Sequence, residues 1–521
     1  MQSVDLCQET TLHGGYPMEL CHTNSILQSA ALQQLGQFVL EWRQQWANRP
    51  PDFEQFEREL HRLVMTLECE LISEELARYD VTAAEIEVGG VRYRPALTSP
   101  EVYLSAAGPV KVTRQLYRPA GRSSKSICPL ELRAGIIAGH FTPRAARQAA
   151  FVMAHLTPGE SEALFDELGA MQPSRSSLDR LPKVLSEHWE QQRQDWEAAI
   201  RTQETIPAEA VVIAISVDGV MAPMKGPGQS AKRDLPGKHA SGPAGNKEVG
   251  CGTVVLYEAE GERLQTVRYG RMPESKKVTL QQQLEAEVAS IVAVRPDLIR
   301  VHLADGAEDN WRLMKELEQA VNSSVPQTWL EIVDFYHACD HLKNACDAAW
   351  GESTPRGKAE FERLKTLLKE ADDGAEQVIR VLKYQRGRAR GNKQARLDAE
   401  LTYFRNQRPR MHYAEYVRKK LPIASGVMEA SCKTLVTQRL KRSGMAWTRP
   451  GGQAILTLRS LIQSERWRPA WELLHADFCK TVVVRPPNTT ATLTAQPALL
   501  DGYVATRILD HADYAALPLA I

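Results

Sequence analysis

The sequence predicts an α/β protein: a sheet-bearing core in the middle of the chain, an all-helical insertion within it, and a mainly helical N-terminal region with a small β-sheet. Three observations lead there. Residues 210–217 and 298–304 are nearly unbroken apolar runs of strand length, the pattern of strands covered on both faces. Segments of helical period separate and follow them. Residues 351–420 are polar and helical in period, with no strand pattern.

Residues 1–24 read as irregular. Two helices are expected over 25–80, parted by Asn48-Arg49-Pro50-Pro51, because Pro-Pro halts a helix. The second carries Phe53, Phe56, Leu60, Leu63, Val64, Leu67 and Leu71 at spacings of three and four, which reads as a packing face. Over 84–118 apolar and polar residues alternate, and Gly89-Gly90 fits a tight hairpin turn. This small sheet would show a basic face of Arg92, Arg94, Lys111, Arg114 and Arg118.

Thr142 and Pro143 suit the cap and first position of a helix running through Ala154. Further helices start near Thr157 and Ser174, the last reaching about Arg201. From 208 onward the order is strand (210–217), a Gly/Pro/Lys-rich loop (225–248), a hairpin (251–258 and 263–269), helix (278–294), strand (298–304), helix (310–321), strand (329–334) and helix (337–350). The tail from Lys480 holds Pro-Pro and a Thr/Ala-rich stretch, so little order is expected there. The segments are 1–83 (helical), 84–205 (small sheet plus helical DNA-binding region), 206–350 (catalytic core), 351–420 (insertion), 421–479 (core helices) and 480–521 (tail).

Apolar residues make up 43% and charged residues 25% of 521, a soluble globular balance that argues against wholesale disorder. No apolar run is long enough for a membrane span, and the first residues lack the pattern of a secretory signal. Nine scattered cysteines fit reduced thiols in a cytoplasm. The net charge of zero hides an asymmetry. Residues 1–80 hold 13 acidic and 5 basic side chains, whereas 381–450 hold 17 basic and 4 acidic, an excess suited to a polyanion.

Asp218-Gly219 and Asp305-Gly306 each follow an apolar run, and Glu429 stands near the start of a helix rich in Lys and Arg. Central strand, hairpin, crossover helix and parallel strand are the order of an RNase H-like sheet. A right-handed crossover sets the fourth strand beside the first, about 4.8 Å away. Asp218 and Asp305 would then face each other, and Glu429 on a later helix would complete a cage. Mg²⁺ takes hard oxygen ligands and leaves positions open for water and phosphate. Two such ions about 3.5–4 Å apart activate an attacking oxygen and stabilise a leaving one. Water would be the nucleophile for cleavage and a 3′-hydroxyl for joining. Asp218, Asp305 and Glu429 are therefore expected both as catalytic groups and as metal ligands.

The strings Ser216-Val217-Asp218-Gly219-Val220-Met221, Ala304-Asp305-Gly306-Ala307-Glu308-Asp309-Asn310-Trp311, Asp334-Phe335-Tyr336-His337-Ala338-Cys339-Asp340-His341-Leu342, Ser425-Gly426-Val427-Met428-Glu429-Ala430-Ser431-Cys432-Lys433 and Arg439-Leu440-Lys441-Arg442-Ser443-Gly444-Met445-Ala446-Trp447 carry a resemblance. Together they resemble bacterial insertion-sequence DDE transposases of the Kra-type group, related to the Mutator-like elements. The likeness runs from about Thr98 to Ile462. It implies an RNase H-like catalytic domain, Mg²⁺ as two ions (Mn²⁺ substituting), a helical insertion before the Glu, and terminal inverted repeats and target DNA as partners. It implies a homodimer in a bacterial cytoplasm, at the nucleoid. Asp334 and His337 match an accessory Asp-x-x-His element, for which an ordinary capping pair is the competing reading. Lys433, Arg439, Lys441 and Arg442 would meet DNA phosphates, and Trp447 would stack on a base or pack internally. Relatives often carry a Cys-x-x-Cys pair after a strand like 110–118. Here Cys128 is alone, so four zinc ligands are not assembled. The alternatives are a non-transposing nuclease, a domesticated DNA-binding regulator, and a glycosidase, which leaves the basic stretch unexplained.

Overall fold

The computed structural model describes residues 29–45, 52–119, 125–225, 245–485 and 493–494. The chain forms two compact units. One comprises Met1–Ala146, Glu162–Pro173 and Phe478–Ile521, the other Arg147–Ser161 and Ser174–Asp477.

In the first unit α1 (Ala30–Gln45) and α2 (Phe53–Ala77) are the two expected helices. The Asp52 carboxylate caps α2 by accepting from the Glu54 amide at 3.1 Å. The expected Asn48–Pro51 breaker lies outside the described residues. The strands β1 (Glu85–Val88), β2 (Val91–Ser105) and β3 (Gly108–Pro119) form the antiparallel meander that the alternation predicts. Gly89 and Gly90, both at positive φ, make its tight turn. Cys69, Ile72 and Leu76 of α2 pack with Tyr103, Val110 and Val112 and with Leu130 of α3 (Pro129–Ala134). The basic face is largely neutralised: Arg114 pairs with Glu101 and Glu131, while Arg92 and Arg94 flank Glu85. The tail departs from expectation. Val483–Arg485 pairs with β1, and Leu493–Thr494 pairs with it in turn. A β-branched triplet, Val482-Val483-Val484, drives this addition.

The helices α4 (Pro143–His155) and α5 (Pro158–Leu168) contain boundaries between the units. The second unit opens with α6 (Arg175–Gln203), capped by the Ser174 hydroxyl accepting from the Ser177 amide. Its sheet contains β4 (Val212–Pro223), β5 (Asn246–Tyr257), β6 (Arg263–Arg271), β7 (Ile299–Ala304) and β8 (Leu330–Val333) in the order β6-β5-β4-β7-β8. The first three are antiparallel, and β7 and β8 run parallel to β4. The helix α7 (Val278–Val294) crosses from β6 to β7, and α8 (Glu308–Asn322) and α9 (Phe335–Trp350) follow β7 and β8. The fourth strand thus lies beside the first, as expected. Val212, Ile213, Ala214, Ile215 and Val217 are all buried, which explains the unbroken apolar run.

One strand end is corrected. The Asp218-Gly219 pair is not a turn: β4 continues to Pro223, with Asp218 opposite Cys251 and Gly219 opposite Gly250.

The insertion contains helices only: α10 (Pro355–Glu370), α11 (Gly374–Arg388), α12 (Asn392–Gln407) and α13 (Tyr413–Arg418), with a 3₁₀ turn before α13. It shares the sheet's hydrophobic core through Leu364, Leu368, Val378, Leu382, Leu401 and Phe404. Each such buried side chain contributes about 2 kcal/mol before entropy. The insertion is therefore fixed against the sheet through a shared core. Next come α14 (Gly426–Ser431), a π-helical stretch over Cys432–Thr437, α15 (Gln438–Leu440), α16 (Arg449–Gln463) and α17 (Trp467–Phe478).

Candidate active site

The parallel ladder pairs Val212 with Ile299 and Ile215 with His302. Asp218 and Asp305 each stand three residues beyond the last pair of this ladder, Asp218 still within β4 and Asp305 just past the end of β7. Burial pushes the Asp218 carboxyl above its ordinary range and the Asp305 charge pushes it further, against the pull of the Gly219 amide and the Lys277 ammonium. Asp218 Oδ1 accepts from the Gly219 amide at 2.6 Å.

Asp305 ends β7 at a turn that only glycine makes easily, since Gly306 has φ +104°. Its Oδ1 accepts from the Ala307 amide at 3.0 Å and from Asn310 Nδ2 at 3.4 Å. The insertion backs this turn. Gln407 Nε2 donates to the Gly306 carbonyl at 3.2 Å, and Tyr403 lies against Gly306.

Glu429 is exposed on α14. Two bonds tie the start of this helix to the end of β8: the Phe335 amide donates to Ile423 O at 2.8 Å, and the Ser425 amide donates to Asp334 Oδ2. Its other end reaches the first aspartate, with Cys432 Sγ 3.7 Å from Asp218 Oδ2. Hydrogen bonding to Cys251, then burial, push the Cys432 thiol far up, so it stays protonated beside Asp218. Glu429 lies one turn before Cys432 but is exposed where Cys432 is buried. Its helix packs on β4 and β5, and among the described residues the Glu429 carboxylate makes no hydrogen bond to either aspartate. Among the described residues no group of three or more His, Cys, Asp and Glu stands ready to hold a metal.

Asp334 is the capping residue of the competing reading. It is buried, and its Oδ1 accepts from the His337 amide at 2.8 Å. Its second oxygen, on Ser425, makes it a link between β8 and the Glu429 helix. His337 meets His341 edge-on at 5.1 Å, and His341 stacks on Tyr403 at 3.6 Å and pairs with Glu400 at 2.7 Å.

The cationic residues divide. Lys433 and Lys441 are exposed. Arg439 is corrected: it is 2% exposed, and its guanidinium donates to Met153 O and lies 5.3 Å from the Trp447 ring. Burial pulls it down to about 10, and no phosphate reaches it as placed. Arg442 is ion-paired with Glu160 at 2.6 Å. Trp447 follows its packing alternative, donating Nε1–H to Leu440 O at 2.9 Å and packing on a core that includes Met224 and Leu440.

Sequence reasoning missed Lys277, Glu248, Tyr403 and Gln407. Lys277 Nζ is 2.8 Å from Glu248 Oε1 and 3.2 Å from Asn310 Oδ1. Of these contacts only Asn310 lay within a recognised string, five residues after Asp305, where a helix start brings it back to that carboxylate. No family model matches the chain. No curated protein matches it either. Among solved structures it is similar to a chain of the "Drosophila P element transposase strand transfer complex", at 11% identity over 65% of this chain and 81% of that one, with a TM-score of 0.24, too low to establish a shared fold.

Proposed function

We propose that this protein is a DDE transposase with an RNase H-like catalytic domain, cleaving DNA at the terminal inverted repeats of an insertion sequence and joining the freed ends to target DNA. The observation that carries the reading is a carboxylate on β4, Asp218, and another just past the adjoining parallel strand β7, Asp305, with the segment that follows Glu429 touching Asp218 through Cys432. The strand order β6-β5-β4-β7-β8 and the helical insertion before Glu429 support it. So does the resemblance of the surrounding strings to Kra-type transposases.

Carboxylate oxygens are the ligand type that a hard divalent cation takes. Two carboxylates that repel each other inside a partly buried end of a sheet are relieved by positive charge. Asp218, Asp305 and Glu429 would hold Mg²⁺, as two ions, with Mn²⁺ substituting. Metal there supplies activation of the attacking oxygen and stabilisation of the leaving one. The chain's own residues do the positioning. Asn310 and the Ala307 amide hold Asp305, Gly219 holds Asp218, and Asp334 anchors the segment that leads into Glu429. Lys433 and Lys441 are exposed cations for phosphates on the segment that follows. A homodimer at the bacterial nucleoid completes the reading, since two element ends are brought together. No helix among the described residues is long and apolar enough to cross a membrane.

The test uses end-labelled duplex containing the inverted repeats that flank the coding sequence, with Mg²⁺. The protein should nick the repeat ends and transfer strands, and Asp218→Asn should do neither while still binding. Cutting without joining would identify a hydrolase. Binding without cutting in both forms would identify a regulator and sink the reading.

A further inference from the structure

We propose that Lys277 is a phosphate-contacting residue of the Asp218–Asp305 site, its ammonium held by Glu248 and Asn310 until a nucleic-acid strand lies in the adjacent cationic groove. The inference rests on the strand-cleavage reading above and adds to it a residue outside the three carboxylates.

Three observations converge on this side chain. The first is backbone strain. Lys276 and Lys277 are consecutive non-glycine residues at φ 55° and 53°, in the left-handed region, immediately before α7. Side chains with a Cβ rarely adopt that conformation, and where the fold imposes it a function is often served. Here it turns Lys277 back towards the ends of β4 and β5 rather than out along α7. The second is the set of partners. Lys277 Nζ bonds Glu248 Oε1 at 2.8 Å and Asn310 Oδ1 at 3.2 Å, and Asn310 Nδ2 in turn reaches Asp305 Oδ1 at 3.4 Å. The ammonium is therefore one side chain removed from Asp305, and its charge is felt at Asp218.

The third is the room made for this arrangement. Glu248 lies over Gly219, where any Cβ would collide with its carboxylate. The glycine after Asp218, which resembles a turn signal, is thus what lets Glu248 stand beside the site and hold Lys277. Gly250 leaves further space, with Lys277 Cγ and Cδ 3.7 Å from where its Cβ would be.

Lys277 also lines a groove of about 370 Å³ with Lys247, Arg271, Arg449, Glu248 and Glu274. Arg271 is committed to Glu190, and Glu274 accepts from the Leu280 amide. Lys247 and Arg449 are exposed and make no ion pair among the described residues. The groove therefore offers free positive charge beside Glu248 and Lys277, the form of an electrostatic track for a phosphodiester backbone. Lys277 is the cation in it that also bonds Asn310, the partner of Asp305. Glu248 is 48% exposed and Lys277 18%, so the carboxylate that a phosphate oxygen would displace stands at the water-facing side of the pair.

The experiment uses the full chain, the labelled flanking duplex and Mg²⁺, and compares Lys277→Met, Lys277→Arg, Lys277→Gly and, as a remote control, Lys343→Met. Lys277→Met should lower the single-turnover cleavage rate by about 10²-fold, the usual cost of removing one preorganised donor to developing charge. Its duplex Kd should stay within a few-fold. Lys277→Arg should recover part of the loss, and Lys343→Met should match the wild type. Lys277→Gly removes the strained Cβ and the ammonium together, so it should lose cleavage equally while its thermal midpoint stays at or above that of Lys277→Met. That pairing separates loss of chemistry from loss of fold. Cleavage by Lys277→Met or Lys277→Gly at the wild-type rate would overturn the proposal and leave the strand-cleavage reading standing. A wild type that cuts no duplex would sink both.

Discussion

Within β4 and just past the end of β7 stand two carboxylates, Asp218 and Asp305, with Asp218 pushed up by burial and by the charge of Asp305. Around residues 439–459 the chain does the reverse with positive charge. Arg439 is folded onto Met153 O, Arg442 onto Glu160, and Arg459 onto the carbonyls of Leu435 and Ala154 at 3.0 and 2.6 Å. The arginines are conspicuous in the sequence as a cluster of charge, whereas the two aspartates are 87 residues apart and meet only in the fold. The first region sets a like charge near a partly buried carboxylate, which raises its pKa. The other satisfies the charges of Arg439, Arg442 and Arg459 internally, the sign of structure, and leaves Lys441 and Arg449 exposed. The contrast teaches that a local excess of Lys and Arg marks a nucleic-acid surface only where the side chains stay free.

Asparagine at Asp218 or Asp305 tests this contrast most severely. Each should lower DNA cleavage by at least about 10³-fold, since a metal-holding carboxylate has no substitute among neutral side chains. Circular dichroism and thermal midpoint should show no loss of fold. A parallel collapse of fold and cleavage would place these residues with the arginines, as structural charges.

The arginines should behave in the opposite way. Arg439→Ala removes a buried side chain over Trp447 and strands the Met153 carbonyl, which should cost about 2–3 kcal/mol in urea unfolding. The salt dependence of DNA binding should not change. Arg442→Ala breaks a half-exposed pair and should cost less than about 1 kcal/mol. If Arg439→Ala instead weakens DNA binding without loss of stability, the segment is a DNA surface after all.

How far this division was legible in the sequence depends on the range of the interactions. The order of strands and helices from 208 to 350 follows from local period and is found nearly as read. The insertion is found all-helical, because no segment in it alternates. Asp218-Gly219 misled because Asp-Gly is a strong local turn signal. Pairing with Glu248, Val249, Gly250 and Cys251 outweighed it and drew β4 on to Pro223. Lys277 was invisible because its role depends on a left-handed backbone and on partners 29 and 33 residues away. The fate of Arg439 depends on Met153, 286 residues earlier, which no window reveals.

Among cations left free, Lys433 follows Glu429 by one turn and is exposed. Lys433→Gln should weaken duplex binding a few-fold and reduce the slope of log K against log salt by about one. Unfolding should be unchanged. An unaltered slope would mean that DNA approaches from another side, along the Lys247–Arg449 groove alone.

The smallest expected effect concerns pH, and it separates a strained carboxylate from a satisfied one. Asp218 has its folded-state value raised, so folding disfavours its charged form. Below the ordinary carboxylate range near pH 4 the group is protonated in both states and has no effect. As pH rises from there through the raised folded value, the unfolded chain ionises first, and stability falls to a lower plateau. In EDTA, Asp218→Asn should therefore match the wild type near pH 4 and exceed it at pH 7 in urea unfolding. Mg²⁺ should close that gap by raising the wild type alone, because a ligand that binds only the folded site stabilises it by mass action. Curves that stay parallel across this range would mean that the carboxylate is already satisfied by the Gly219 amide and Lys277, as Arg442 is by Glu160, and the distinction between the two regions would fail.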